Sequence, residues 1–134
     1  MLTRPLTLWA IGYGLLVWFE TTIIIRWAVN LIFIPDSLAW TIGGFVVTAG
    51  LAFTVGWVFF SWFKTPPATR AASAVVICAV GLVANAFVFA WINDVFPNMT
   101  PEQQRLFAGW VVWAYGIGLI SGIWPKNLLR VPAA

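Results

Sequence analysis

LTLWAIGYGLLVWFETTIIIRWAVNLIFI, residues 6–34, lies between Pro5 and Pro35 and holds only two charged side chains, Glu20 and Arg26. A helix needs ~20 apolar residues to cross the hydrocarbon of a bilayer, and this stretch exceeds that length. Three more stretches obey the same rule. Residues 38–63 end at the KTPPATR segment, residues 71–92 end at NDVFPNMT, and residues 101–124 end at Pro125. Apolar character runs all round each stretch, so periodicity adds little, and the length between prolines and charges carries the reading. The sequence predicts an all-α protein, a four-transmembrane-helix bundle formed as one integral membrane domain over residues 1–134.

Composition agrees. Hydrophobic residues make up 62% of the chain and charged residues 8%, with a mean hydropathy of +0.94, whereas a soluble domain carries about 25% charge. The net charge of +3 is too small for a nucleic-acid footprint and reads as topology information. No histidine is present, which removes the commonest metal ligand, haem ligand and general base together. The single cysteine, Cys78, forms no internal disulfide, and Lys64 and Lys126 lie outside the spans, away from any buried Schiff base. No nucleophile–base set, phosphate loop or metal constellation is legible. The expectation is a protein that is not an enzyme, holds no metal, binds no nucleic acid and has a cofactor status the sequence leaves unknown.

The N-terminus starts basic and turns apolar. A cleaved signal has an apolar core of about 7–15 residues and a small-residue cleavage site. Here the apolar run continues past Glu20 to Ile34 without an A-x-A, so an uncleaved first helix is expected. Arg4, Lys64, Arg70, Lys126 and Arg130 fall on one side of a four-span topology, and only Arg105 faces them, beside Asp36, Asp94 and Glu102. The positive-inside rule then predicts both termini in the cytoplasm, with loops 35–38 and 93–100 outside. Before the last span, Thr100, Pro101 and Gln103 fit an N-cap, a first helical position and the far side of a capping box.

Tryptophan is abundant, at ten residues. Trp9, Trp62 and Trp124 fall near one predicted boundary and Trp40, Trp91 and Trp110 near the other, as an aromatic belt does. Trp18, Trp57 and Trp113 fall deeper, as packing or lipid contacts or as an aromatic surface for a quinone, a pigment or another subunit. Gly118 and Gly122 are four apart, a spacing that lets membrane helices approach closely, either inside the bundle or toward a partner.

Glu20 and Arg26 are about 9 Å apart along a helix axis and about 120° apart around it, so they need different partners. Arg26 shares a stripe with Thr22 and Asn30. It is expected to face the bundle, pairing with Asn85 and an outer-loop carboxylate, Asp94 first. Glu20 falls near mid-span, at the depth of Thr54, Cys78 and Ser121. There it is either a neutral acid in a helix-to-helix hydrogen bond or a carboxylate facing water or a ligand, and an intramembrane acid is a functional candidate by default. Glu20, Arg26, Asn85, Asp94 and Tyr115 are the candidate intramembrane polar residues.

Phe96-Pro97-Asn98, Trp110, the Trp113-Ala114-Tyr115-Gly116 run, and Gly14 to Trp18 followed by Arg26 resemble the pattern of a family of small bacterial four-helix membrane proteins of unassigned function. The resemblance implies the four-helix topology, with Arg26 and the Phe96–Asn98 corner as parts of the fold, and it implies no reaction. A weaker likeness is to small multidrug-resistance transporters, which use a glutamate in helix one to exchange protons for cationic drugs. Glu20 fits that chemistry, whereas Arg26 and the basic bias depart from it. The expectation is therefore a non-catalytic membrane protein that packs against other membrane subunits or copies of itself. The alternatives are a small proton-coupled transporter using Glu20 and a quinone- or pigment-binding protein.

Overall fold

The computed structural model describes residues 1–124, so Lys126 and Arg130, two of the basic residues behind the expected orientation, lie outside the described residues. The elements are α1 (Arg4–Ile32), α2 (Leu38–Trp62), α3 (Pro67–Ala90), the short α4 (Ile92–Val95) and α5 (Pro101–Ile123). All but α4 are long and apolar enough to cross a membrane. The chain is a small helical membrane protein of four long helices.

The helix ends follow local chemistry. Thr100 Oγ1 accepts from the Gln103 amide at 3.3 Å, and Gln103 Oε1 accepts from the Thr100 amide at 2.9 Å, completing the expected capping box. Several boundaries differ from the sequence reading, α1 lying two residues earlier at each end. α3 starts at Pro67 rather than Ala71, because proline has the φ of a first helical turn and lacks the N–H that would be orphaned there. The third span ends at Ala90, and the next residues wind into α4 before the Phe96-Pro97-Asn98 corner.

The α2–α3 turn is a Schellman motif. The Thr65 amide donates to the Phe60 carbonyl at 2.9 Å and the Lys64 amide to the Ser61 carbonyl at 3.3 Å. Lys64 sits at φ 45°, the left-handed region that glycine usually occupies. Arg70 braces the turn, its Nε donating to the Thr65 carbonyl at 3.2 Å and its guanidinium lying over the Phe60 ring.

In space the helices run α1, α3, α5, α2, each packed on the next, while α1 and α2 meet sparsely. Small residues set the close crossings. A Cβ on Gly14 would lie 2.8 Å from the Ile77 carbonyl oxygen, so α1 rests on the α3 backbone. A Cβ on Gly122 would lie 2.5 Å from that of Ala74, and one on Gly118 3.1 Å from Cys78 Sγ. The Gly118–Gly122 pair is thus spent inside the bundle, between α5 and α3.

Two apolar clusters hold the ends. Ile25, Val29, Phe33, Val88, Phe96, Met99, Phe107 and Val111 pack at the end bearing α4. Ala10, Phe59, Phe60, Ala74 and Ile77 pack at the end bearing the N-terminus. Near that second end α1 does touch α2, where the Tyr13 hydroxyl donates to the Val55 carbonyl at 2.9 Å and its ring lies 5.2 Å from Phe59. At the other end Trp40 of α2 donates its indole N–H to the last carbonyls of α1, Leu31 at 3.1 Å and Ile32 at 3.3 Å.

Replacing Lys64 with glycine removes the left-handed penalty but adds freedom to the unfolded chain. The net expectation is a gain of about 0.5–1 kcal/mol, read as a higher midpoint in thermal unfolding in detergent. An unchanged or lower midpoint would show that the lysine relieves no strain on leaving.

Candidate functional site

Between its two tied ends, the space where α1 and α2 part is a cavity of about 920 Å³, toward the upper end of the ~300–1,000 Å³ found for small-molecule sites. α1 contributes Val17, Trp18, Thr21 and Ile25; α2 contributes Gly44, Phe45, Thr48 and Ala52. Asn85, Cys78, Trp110, Tyr115 and Ser121 reach it from α3 and α5. The lining is chiefly apolar, with a few polar groups in fixed places.

Asn85 is the best-anchored of these. It is buried, and its Nδ2 donates to the Gly81 carbonyl at 3.0 Å and to the Tyr115 hydroxyl oxygen at 3.1 Å. Gly81 makes room for that oxygen, since a Cβ there would lie 2.2 Å from it. On the α2 side, Trp110 donates its indole N–H to Thr48 Oγ1, and Trp113 donates its own to the Phe45 carbonyl at 2.9 Å. Cys78 Sγ bonds the Tyr115 carbonyl at 3.7 Å and Ser121 Oγ the Gly118 carbonyl at 2.6 Å. The indole nitrogen of Trp18 is buried and has no hydrogen-bond partner among the described residues.

The expected partners of Arg26 are corrected by the geometry. Its guanidinium donates to the backbone carbonyls of Asp94 (at 3.4 Å) and Val95, and neither to the Asp94 carboxylate nor to Asn85. The reason is α4: a helix this short leaves its last carbonyls without intrahelical donors, and they present partial negative charge to α1. Asn85 lies instead on the α3 face that meets Tyr115. Asn30, on the Arg26 stripe, accepts from Gln103 Nε2 at 3.2 Å.

Glu20 is exposed on the outward face of α1 and is not among the residues lining the cavity. Its expected neighbours in depth are engaged elsewhere or face outward: Thr54 Oγ1 donates to the Gly50 carbonyl at 2.8 Å and is exposed. Of the three deeper tryptophans, Trp57 faces outward, Trp18 lines the cavity and Trp113 ties α5 to α2. Trp110, assigned by sequence to the belt, is partly buried because its N–H finds Thr48 across the bundle.

Sequence reasoning missed Gln103 as a bridge: beyond its capping role it is buried and donates to the Phe33 carbonyl at 3.0 Å. A glutamine at the third position of a capping box reads as a local cap, and nothing in the spacing points to α1. The cavity itself was also missed, since it arises from which helices pack together.

Arg26→Met is expected to lower the unfolding midpoint in detergent, at a cost of about 1–2 kcal/mol for charge-assisted bonds at an exposed site. Asp94→Asn should cost almost nothing, because the bond is to the carbonyl. Equal losses in both variants would restore the carboxylate as the partner.

Over residues 32–128 the chain matches the family described as a family of unknown function (DUF5367), a stretch that includes the Phe96–Asn98 corner and the Trp113–Gly116 run and begins after Glu20 and Arg26. No curated protein and no solved structure matches. With nearly three quarters of its length matched, the chain belongs to that family of unknown function.

Proposed function

We propose that this is a non-catalytic membrane protein that takes a lipid-soluble small molecule from the bilayer into the cavity between α1 and α2. The observation that carries this reading is the cavity: about 920 Å³, apolar in most of its lining, with polar groups held in place by Asn85 and Thr48. Its open side lies between two helices long enough to span the membrane, so a ligand dissolved in lipid has a direct route. We further place both termini in the cytoplasm of a bacterial inner membrane. The support is Arg4, Lys64 and Arg70 at one end against Arg105, Asp36, Asp94 and Glu102 at the other.

Gly44 offers a clean test. It lines the cavity, and a Cβ there would meet nothing within 4 Å, so the indole of Gly44→Trp starts in open space and competes with a ligand for the cavity. Wild type captured with its own lipid in polymer-bounded native discs is expected to carry a stoichiometric small molecule by native mass spectrometry, and Gly44→Trp to carry none. Identical, non-stoichiometric lipid on both would remove the reading.

A second reading, association with another membrane subunit or a second copy, is favoured by Glu20. A mid-span carboxyl on a lipid-facing surface costs several kcal/mol unless it is paired, and Glu20 is exposed beside Leu16, Ile23 and Trp27. The particle in native discs should then hold more than one chain, and Glu20→Leu should release the monomer. A monomeric wild type would sink this second reading.

A further inference from the structure

Resting on that cavity reading, we infer that the ligand bears a carbonyl-type hydrogen-bond acceptor, as a quinone does, to which the Tyr115 hydroxyl donates. The inference comes from the direction of the bonds already made. Asn85 Nδ2 has two protons and two acceptors, the Gly81 carbonyl and the Tyr115 hydroxyl oxygen. A carbonyl can only accept, so the Gly81 bond fixes which end of the Asn85 amide is the nitrogen. Tyr115 Oη therefore accepts from Asn85, and its own proton must point elsewhere. It has no acceptor among the described residues, and Tyr115 lines the cavity.

Thr48 repeats the pattern from the opposite wall. Its Oγ1 accepts from the Trp110 indole, and its proton likewise has no acceptor among the described residues. In a helix such a hydroxyl commonly donates back to the carbonyl four residues earlier. Thr21, Thr22 and Thr54 all do so here, at 2.7, 2.8 and 2.8 Å, whereas Thr48 does not. Asn85 Oδ1 is the one acceptor of this group left over. An apolar site with an excess of donors selects a ligand with acceptors and few donors of its own. A quinone carbonyl and a lipid ester carbonyl share that chemistry; an alkane of equal size lacks any acceptor, and a fatty alcohol brings a donor of its own with its acceptor.

The test uses the full chain in lipid nanodiscs with decylubiquinone as probe and the quinone carbonyl stretch in the infrared as readout. Bound to wild type, the carbonyl band should shift to lower frequency, as hydrogen bonding requires. Tyr115→Phe should weaken binding by on the order of fivefold, the worth of one net hydrogen bond of about 1 kcal/mol, and should return the band toward its free position. Thr48→Val is the second variant, because Tyr115→Phe also leaves the Asn85 amide N–H an acceptor short and could fail to fold; the same loss of shift is expected there. Gly44→Trp should abolish binding.

Unchanged affinity and an unchanged band in folded Tyr115→Phe and Thr48→Val, with binding still lost in Gly44→Trp, would overturn the acceptor inference and leave the cavity reading standing. Binding that survives Gly44→Trp would overturn both. Phospholipid labelled with ¹³C at its ester carbonyls separates the two sources. A Tyr115-dependent shift of the lipid band in quinone-free discs assigns the acceptor to a lipid ester and supports the same chemistry; a shift confined to the quinone band assigns it to a quinone.

Discussion

Gly14 lets α1 settle on the backbone of α3 at Ile77, and much of the architecture depends on that contact. In lipid there is no water to expel between apolar helices, so close approach and packing decide which helices pair. α1 commits to α3 through Gly14, and α5 commits to α3 through Gly122 and Gly118. α2 then attaches to α5 through two indole bonds, Trp110 to Thr48 and Trp113 to the Phe45 carbonyl. With α1 and α2 each held mainly from one side, they are brought together only near their ends. The open middle is what remains.

That arrangement explains where the polar groups sit. Several polar groups that reach the cavity are satisfied within the bundle: Ser121 by Gly118, Cys78 by Tyr115, Asn85 by Gly81. Residues at the edge of the open middle have bonding capacity left over, and the two hydroxyls there are acceptors already used. An unsatisfied donor in a low-dielectric site costs about 1–3 kcal/mol, and a ligand that supplies an acceptor recovers it. The same reasoning separates the cavity from Glu20. One is a set of neutral donors facing inward, the other a lone carboxyl facing outward.

Much of this fold was legible in the sequence, because span length and prolines are local facts. Pro67 shifted a boundary by less than two turns, and the Thr100–Gln103 capping box appeared where its residues stood. The polar site was legible only by residue type. Asn85 and Tyr115 stood out as intramembrane polar groups, but that they bond each other depends on α3 packing against α5 at Gly81. Arg26 was placed with the correct residue, Asp94, and the wrong atom, since α4 and its orphan carbonyls were not foreseen. Trp110 and Thr48 look unrelated in sequence, and only the α2–α5 contact joins them.

The central claim is that α1 and α2 stand apart in mid-membrane while their ends are joined. Counting 1.5 Å per residue from the connecting loop puts Ile24 of α1 and Val47 of α2, both lining the cavity, at similar depth. Cysteines at these two positions, in a Cys78→Ala background, can be oxidised directly or bridged by a long bis-maleimide. Direct disulfide formation needs Cα atoms within about 7 Å. The account expects the long reagent to join the two helices and direct oxidation to fail. Efficient disulfide formation on oxidation would mean that α1 and α2 close on each other, and that there is no cavity for a ligand to enter.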